Sequence, residues 1–346
     1  MIKTSNNAEK MYRAINMDSS SSLKQFVKDR KKYYKKYVLK EYVEDEESKA
    51  ITMGRIVETK LLEPELFDDR FVASICIDAP TGLMLSFVDS LFKHTISNRD
   101  ENDNLTVPFD SLLKIAYEES GYKISFDRVV NSFTNSEAQT YFEEKLQVYK
   151  KNLTVVSITD VANADKIVDQ IRTNPFTQVV NLTNSVRYSI TNQHQVTGLE
   201  YNGLILKGMF DKVVIDHVEK TIQVYDLKCT WAVENFYKDY YIANLGYIQS
   251  GIYHLLASKE FSDLIEEGYV LNPIKYIVCD SIGYYNPLIY TLNHEDLKEC
   301  FDGFEYRNVQ YPGINKIVDN LNFAKEMDIW NISKDNYINF GIVNLK

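Results

Sequence analysis

The chain has 346 residues, 45% of them hydrophobic and 13% aromatic, and a formal net charge of −10. That is enough apolar material for one large domain or two smaller ones, and the acidic balance weighs against a protein that coats nucleic acid while leaving room for an enzyme with a local basic track. No run approaches the roughly 18 to 20 apolar residues of a membrane span, no apolar signal core opens the sequence, and Cys76, Cys229, Cys279 and Cys300 are scattered without metal-binding spacing, so neither a membrane, a disulfide framework, zinc nor an iron–sulfur cluster is expected.

In chain order, "SSSSLKQFVKD" offers a serine N-cap to a first helix. The helix runs into "KDRKKYYKKYVLK" (28 to 40), where lysines and Arg30 alternate with Tyr33, Tyr34 and Tyr37. Two readings apply: a solvated amphipathic helix with tyrosines turned inward, or a contact for a phosphate backbone. The acidic "EDEESK" at 44 to 49 precedes a second helix, "KAITMGRIVETKLLEPELF", in which Ile51, Gly54, Glu58 and Leu61 share one face. Glu58 is a carboxylate in an apolar stripe, and Pro64 ends the helix. Residues 83 to 190 have helical periodicity and read as an elaboration on the same domain, a separate small helical domain being the alternative. From about 194 the pattern turns to strands, "GLEYNGLILKGMFDKVVID" and "TIQVYDLKCT". A helix, "YYIANLGYIQSGIYHLLASKEF", follows, then strands "IKYIVCD" and "LIYTL" and a closing helix near "GINKIVDNLNFAKEM". This order is a mixed α/β domain.

Asp-Leu-Lys at 226 to 228 is uninformative alone, since acid-x-Lys also occurs at Asp29, Glu47, Glu58, Glu143 and Asp296. Strand alternation sends Asp226 and Lys228 to one face. If "HVEK" (217 to 220) is a hairpin loop, 216 pairs with 221 and 211 with 226, so Asp211 and Asp226 oppose each other about 4.5 to 5.5 Å apart at Cβ. Two anions so placed repel unless a cation lies between them, and a divalent metal would resolve the conflict. A strand-end turn role is the plain alternative for each aspartate. Gln249 and Tyr253 stand at i and i+4 on the later helix.

The ordered set Glu58, Asp211, Asp226-x-Lys228, Gln249-x-x-x-Tyr253 resembles the PD-(D/E)XK nucleases, in their RecB-like branch, and within it the exonuclease VIII type of phage recombination systems. "GRIVETKLLEPELF" matches the early helix with Glu58 where a histidine usually stands, and "KGMFD" matches the Lys-Gly-x-x-Asp strand through Lys207, Gly208 and Asp211. The resemblance implies a restriction endonuclease-like α/β fold, a mixed central sheet flanked by helices, formed by residues 1 to 346 as a single nuclease domain: N-terminal helices at 20 to 65, a helical elaboration at 83 to 190, and the catalytic sheet at 194 to 346. It implies a Mg²⁺ or Mn²⁺ site on Asp211, Asp226, the Leu227 carbonyl and Glu58. Lys228 would act as base or charge stabiliser, and Gln249, Tyr253, Lys207 and Lys212 would position DNA. The implied activity is exonucleolytic hydrolysis from the ends of linear double-stranded DNA, 5′ to 3′, in phage-type recombination or DNA processing, with an endonuclease or a non-catalytic DNA-binding module as alternatives. A single-strand annealing protein and further copies of the chain are the partners implied, in the cytoplasm (the host's, if phage-encoded).

Overall fold

A computed structural model describes residues 11–41, 49–74, 79–100, 103–151 and 153–343, with the backbone alone at residue 74. The acidic run at 44 to 48 and Cys76 lie outside the described residues. The labelled elements are α1 (Ser20–Lys28), α2 (Lys49–Leu62), β1 (Phe71–Ser74), α3 (Gly82–Ser97), α4 (Phe109–Ser120), α5 (Phe126–Thr134), α6 (Glu137–Lys151), β2 (Thr154–Ser157) and α7 (Ile158–Thr173). They continue with β3 (Tyr188–Tyr201), β4 (Leu204–Asp216), β5 (Thr221–Thr230), α8 (Gly246–Glu260), β6 (Val270–Leu271), β7 (Lys275–Asp280), β8 (Leu288–Thr291), α9 (His294–Asp302), β9 (Gly303–Tyr306), β10 (Val309–Pro312) and α10 (Ile314–Met327). No helix among the described residues is long and apolar enough to cross a membrane.

The chain divides into two compact units, one of residues up to Leu66 together with Ala162 onward, the other Phe67–Val161. The second unit has its own core, in which Phe87 and Leu91 of α3, Leu112 and Ala116 of α4, Phe133 of α5 and Phe142 of α6 are buried together. Its β1 and β2 pair in parallel, Phe71 with Thr154 through Ser74 with Ser157. Four-residue strands are too short to stand out against the helical periodicity on either side, and the sequence reading passed over them.

The first unit is built on a mixed sheet in the order β3-β4-β5-β7-β8, with β6 also on β5. β3, β4 and β5 run antiparallel, β7 is parallel to β5, and β8 returns antiparallel to β7. Helices flank it, so the α/β architecture read from the sequence is what the chain forms. Asn202 and Gly203, both at positive φ, make the tight β3–β4 turn, the backbone twist that suits a two-residue hairpin. β3 begins at Tyr188, earlier than the boundary near 194. Its first half, "YSITNQ", lacks an apolar alternation, and the strand is drawn out by pairing from Tyr188↔Asp216 onward along β4.

Phe210, Val213, Ile222, Val224, Tyr276 and Val278 of the sheet form one core with Leu23 and Phe26 of α1, Ile248, Ile252 and Leu256 of α8, and Ile317 and Leu321 of α10. Burying each such side chain contributes on the order of 1.5 to 3 kcal/mol before entropy is counted. Ser19 caps α1 as expected, exchanging hydrogen bonds with Ser22 in a capping box. The helix α8 between β5 and β7 starts at Gly246, later than the sequence pattern suggests. The preceding residues Tyr237–Ile242 form a π-helical turn, and Leu245 at φ 55° separates it from α8.

Candidate functional site

The loop 217 to 220 joins β4 to β5 with Asp216 opposite Thr221, and the ladder continues to Lys212 opposite Tyr225. The register is the one expected, and the next pair in it is Asp211 and Asp226. There the ladder stops: the Leu227 N–H donates not to a strand carbonyl but to Asp211 Oδ2 at 2.6 Å. Across β3, Gln193 has φ 49°, and the simple in–out alternation of β4 breaks at this point. Phe210 packs edge-on against Tyr253 at 5.1 Å, while its neighbour Asp211 shares a cavity with the same tyrosine.

The cavity, about 1430 Å³, is lined by Glu58, Asp211, Asp226, Lys228, Gln249 and Tyr253. All six acid, lysine, glutamine and tyrosine positions singled out by spacing are thus brought together, from α2, β4, β5 and α8. Its wall also carries Arg13, Lys32, Lys36, Lys40 and Arg55. The side chains of the basic track divide. Tyr33 is buried, with its ring 5.9 Å from Trp330, and Tyr34 packs on the same indole, while Lys32 and Lys36 reach the cavity. Arg30 does not reach it; it donates to the Ile332 carbonyl at 2.8 Å.

Asp226 is 1% exposed. Its Oδ1 accepts from Gln249 Nε2 at 2.7 Å, and its Oδ2 forms an ion pair with Lys228. Lys228 Nζ also donates to the Leu227 carbonyl at 3.2 Å. Glu58 Oε1 accepts from Gln193 Nε2 at 2.7 Å. Burial, then Asp226, then Glu58 push the Asp211 carboxyl well above its ordinary range, against the pull of Lys228 and the Leu227 N–H. For Lys228, burial works against the charge, but Asp226, Tyr240 and Asp211 together hold the ammonium well above its ordinary value. The surrounding carboxylates thus favour the charged form of Lys228.

Two of the expected DNA-positioning residues are placed otherwise. Lys207 lines the cavity, but its Nζ donates to the carbonyls of Tyr12, Arg13 and Ile15 at 2.8, 3.0 and 2.8 Å. An ammonium has three donors, so this one is committed to holding the 12–15 segment and is not a phosphate contact. Lys212 lies away from the cavity, buried near Leu61, Leu62, Tyr225, Leu227 and Ile277 and bonded to Asn192 Oδ1 at 3.5 Å. Tyr253 spends its hydroxyl on the Met209 carbonyl at 2.7 Å, which ties α8 to β4. Gly208 allows that approach: a Cβ there would stand 2.5 Å from Leu256 Cδ1.

As a cation site, the donor set suits a hard divalent ion by chemistry: carboxylates and a backbone carbonyl, with no sulfur or imidazole. The like charges of the buried Asp211 and Asp226 and the half-buried Glu58 are the arrangement a cation would relieve. As the side chains stand, no group of three or more His, Cys, Asp and Glu among the described residues is disposed to hold a metal. Three further residues belong to the site: Gln193, Lys24 and Tyr240. Lys24 and Tyr240 both contact Gln249. Nothing in one sequence with 25 tyrosines and 39 lysines and arginines marks them.

No family model matches the chain, and no curated protein matches it. Among solved structures, the chain is similar to a "Putative exonuclease" from Eubacterium rectale, at 12% identity with a TM-score of 0.48, over 100% of this chain and 96% of that one.

Proposed function

We propose that the chain is a metal-dependent deoxyribonuclease of the PD-(D/E)XK type, an exonuclease acting on the ends of linear duplex DNA. The observation that carries this reading is the buried Asp211–Asp226 pair with Lys228 ion-paired beside it, at a cavity whose wall carries Arg13, Lys32, Lys36, Lys40 and Arg55. A volume of about 1430 Å³ suits a polymer end better than a small metabolite, whose pockets usually run about 300 to 1,000 Å³. The basic wall gives an acidic protein a local field that draws phosphates.

Asp211, Asp226, the Leu227 carbonyl and Glu58 are the residues that would hold Mg²⁺ or Mn²⁺. Such an ion supplies an acidified water and neutralises charge on the phosphate undergoing attack. Lys228, ion-paired to Asp226, brings a positive charge and N–H donors to the phosphate oxygens; a protonated lysine has no lone pair to serve as base. Gln249 holds Asp226 through its Oδ1, and Tyr253 fixes the helix that carries Gln249. Cutting from the 5′ end, a role in phage-type recombination, a single-strand annealing partner and assembly of several copies belong to the same proposal through the resemblance alone.

The test is digestion of linear duplex DNA labelled separately at its 5′ and 3′ ends, with Mg²⁺, with EDTA, and with Lys228→Ala beside the unaltered chain. Metal-dependent shortening from one end, lowered about 10²- to 10³-fold in the variant, is the expected result. Cutting of closed circles would instead make it an endonuclease. No cutting of any DNA by the folded protein, with binding retained, would make it a DNA-binding module.

A further inference from the structure

Gln249 is held from two sides. Toward β5 its Nε2 donates to Asp226 Oδ1 at 2.7 Å. On the other side its Oε1 accepts from Tyr240 OH at 2.6 Å and from Lys24 Nζ at 3.3 Å. Lys24 Nζ also donates to Tyr240 OH at 3.4 Å and lies 5.0 Å from the centre of that ring, with Lys228 Nζ 5.5 Å from the same centre. Phe236 stacks on Tyr240 at 4.9 Å and 15°.

The chemistry of this arrangement leaves the amide one orientation. A side-chain amide can present either oxygen or nitrogen, and flipping exchanges them. A lysine has donors and no acceptor, so the atom facing Lys24 must be the oxygen. The nitrogen is then forced toward Asp226, where it meets a carboxylate that needs a donor. Without Lys24 the tyrosine hydroxyl could turn and accept from a flipped amide, which would aim Oε1 at Asp226 oxygen against oxygen. We propose that Lys24, with Tyr240, is a positioning residue of the site, acting through Gln249 to hold Asp226 in a fixed orientation. Burial and the nearby Lys228 push Lys24 down to about 7, and it is the ammonium form, with no lone pair, that excludes the flipped amide. Nothing in the six-residue pattern from Glu58 to Tyr253 includes either residue.

The catalytic half of this inference rests on the nuclease reading, and the structural half does not. The side-chain amide of Gln249, assigned in selectively ¹⁵N-glutamine-labelled protein by its loss in Gln249→Ala, is therefore observed in the unaltered chain, Lys24→Met, Lys24→Arg and Tyr240→Phe. Protected, shifted amide protons in the unaltered chain that move toward the free-glutamine position in Lys24→Met, and recover at least in part in Lys24→Arg, are the expected result. An unmoved Gln249 amide in folded Lys24→Met overturns the proposal. Where the unaltered chain cuts DNA, Lys24→Met lowers kcat about tenfold with KM within twofold, and adds no further loss in a Gln249→Ala background. An equal loss in both backgrounds overturns it as well. A chain that never cuts DNA defeats the nuclease reading and leaves the amide measurement to decide on Lys24.

Discussion

Asp211 is the residue at which function and stability oppose each other most clearly. Its carboxyl is raised by burial, Asp226 and Glu58, so the folded chain binds a proton there more readily than the unfolded chain, and its contribution to stability falls as pH rises past the ordinary carboxylate range. Asn at this position keeps an oxygen for the Leu227 N–H and removes the charge. Asp211→Asn is predicted to melt at a higher temperature than the unaltered chain at pH 7 in EDTA, and to lose DNA cutting; a lower melting temperature would contradict the account of the site. Mg²⁺ at about 100 times its dissociation constant should stabilise the unaltered chain by about 2.7 kcal/mol, and the variant hardly at all, which melts with and without the ion will show. Lys24 has the opposite sign. Unfolded, it keeps its proton to its ordinary 10.5; folded, only to about 7. Between these values the unfolded chain binds more protons, so stability rises with pH across that window. Denaturant midpoints at pH 7 and pH 10 should show that rise shrinking in Lys24→Met. Strand parity and helical i, i+4 spacing made Asp211, Asp226, Lys228, Gln249 and Tyr253 readable from sequence. Lys24 reaches Gln249 across 225 positions, and no local period encodes such a meeting. Lys207 and Lys212 were misplaced for a related reason: a lysine's partners depend on what lies above it, and the 12–15 carbonyls over Lys207 have no sequence signature.

Among elements, the decisive contact is α8 on β4. Gly208 faces Leu256 and Tyr253 so closely that an added Cβ would stand 2.5 and 3.4 Å from them. Gly208→Ala is predicted to cost about 1 to 3 kcal/mol as an overpacking change, and to lower activity by displacing the helix that bears Gln249, while leaving the β4–β5 hairpin intact. Urea unfolding paired with the DNA assay measures both, and full activity in a destabilised variant would separate the helix position from the chemistry. The hairpin itself was legible because a four-residue loop carrying His217, Glu219 and Lys220 between two apolar stretches fixes one register. The start of β3 was not, since a strand of mixed polar residues owes its existence to its partner. The break in alternation at Phe210–Asp211 was equally hidden: it lies opposite the left-handed backbone of Gln193 on the neighbouring strand, which no local period announces.

At the scale of the molecule, the chain carries two compact units, and Phe67–Val161 has a core of its own. Calorimetry is predicted to resolve two transitions, with Mg²⁺ moving only the one that belongs to the sheet-bearing unit; a single transition shifted as a whole would show one cooperative block. The helical periods of the inserted stretch were plain in the sequence, but compactness is a property of contacts, and no composition shift marked the edges at 67 and 161. The insertion also sets a timetable. A ribosome adding about 5 to 20 residues per second needs roughly 10 to 40 s to travel from Glu58 to Gln249. Asp211, Asp226 and Lys228 are made before α8, so a product terminated ahead of Gly246 carries the carboxylates without the Gln249 amide that holds Asp226 Oδ1, and under the proposed function the last helix of the set is what turns a cluster of acids into an ordered site.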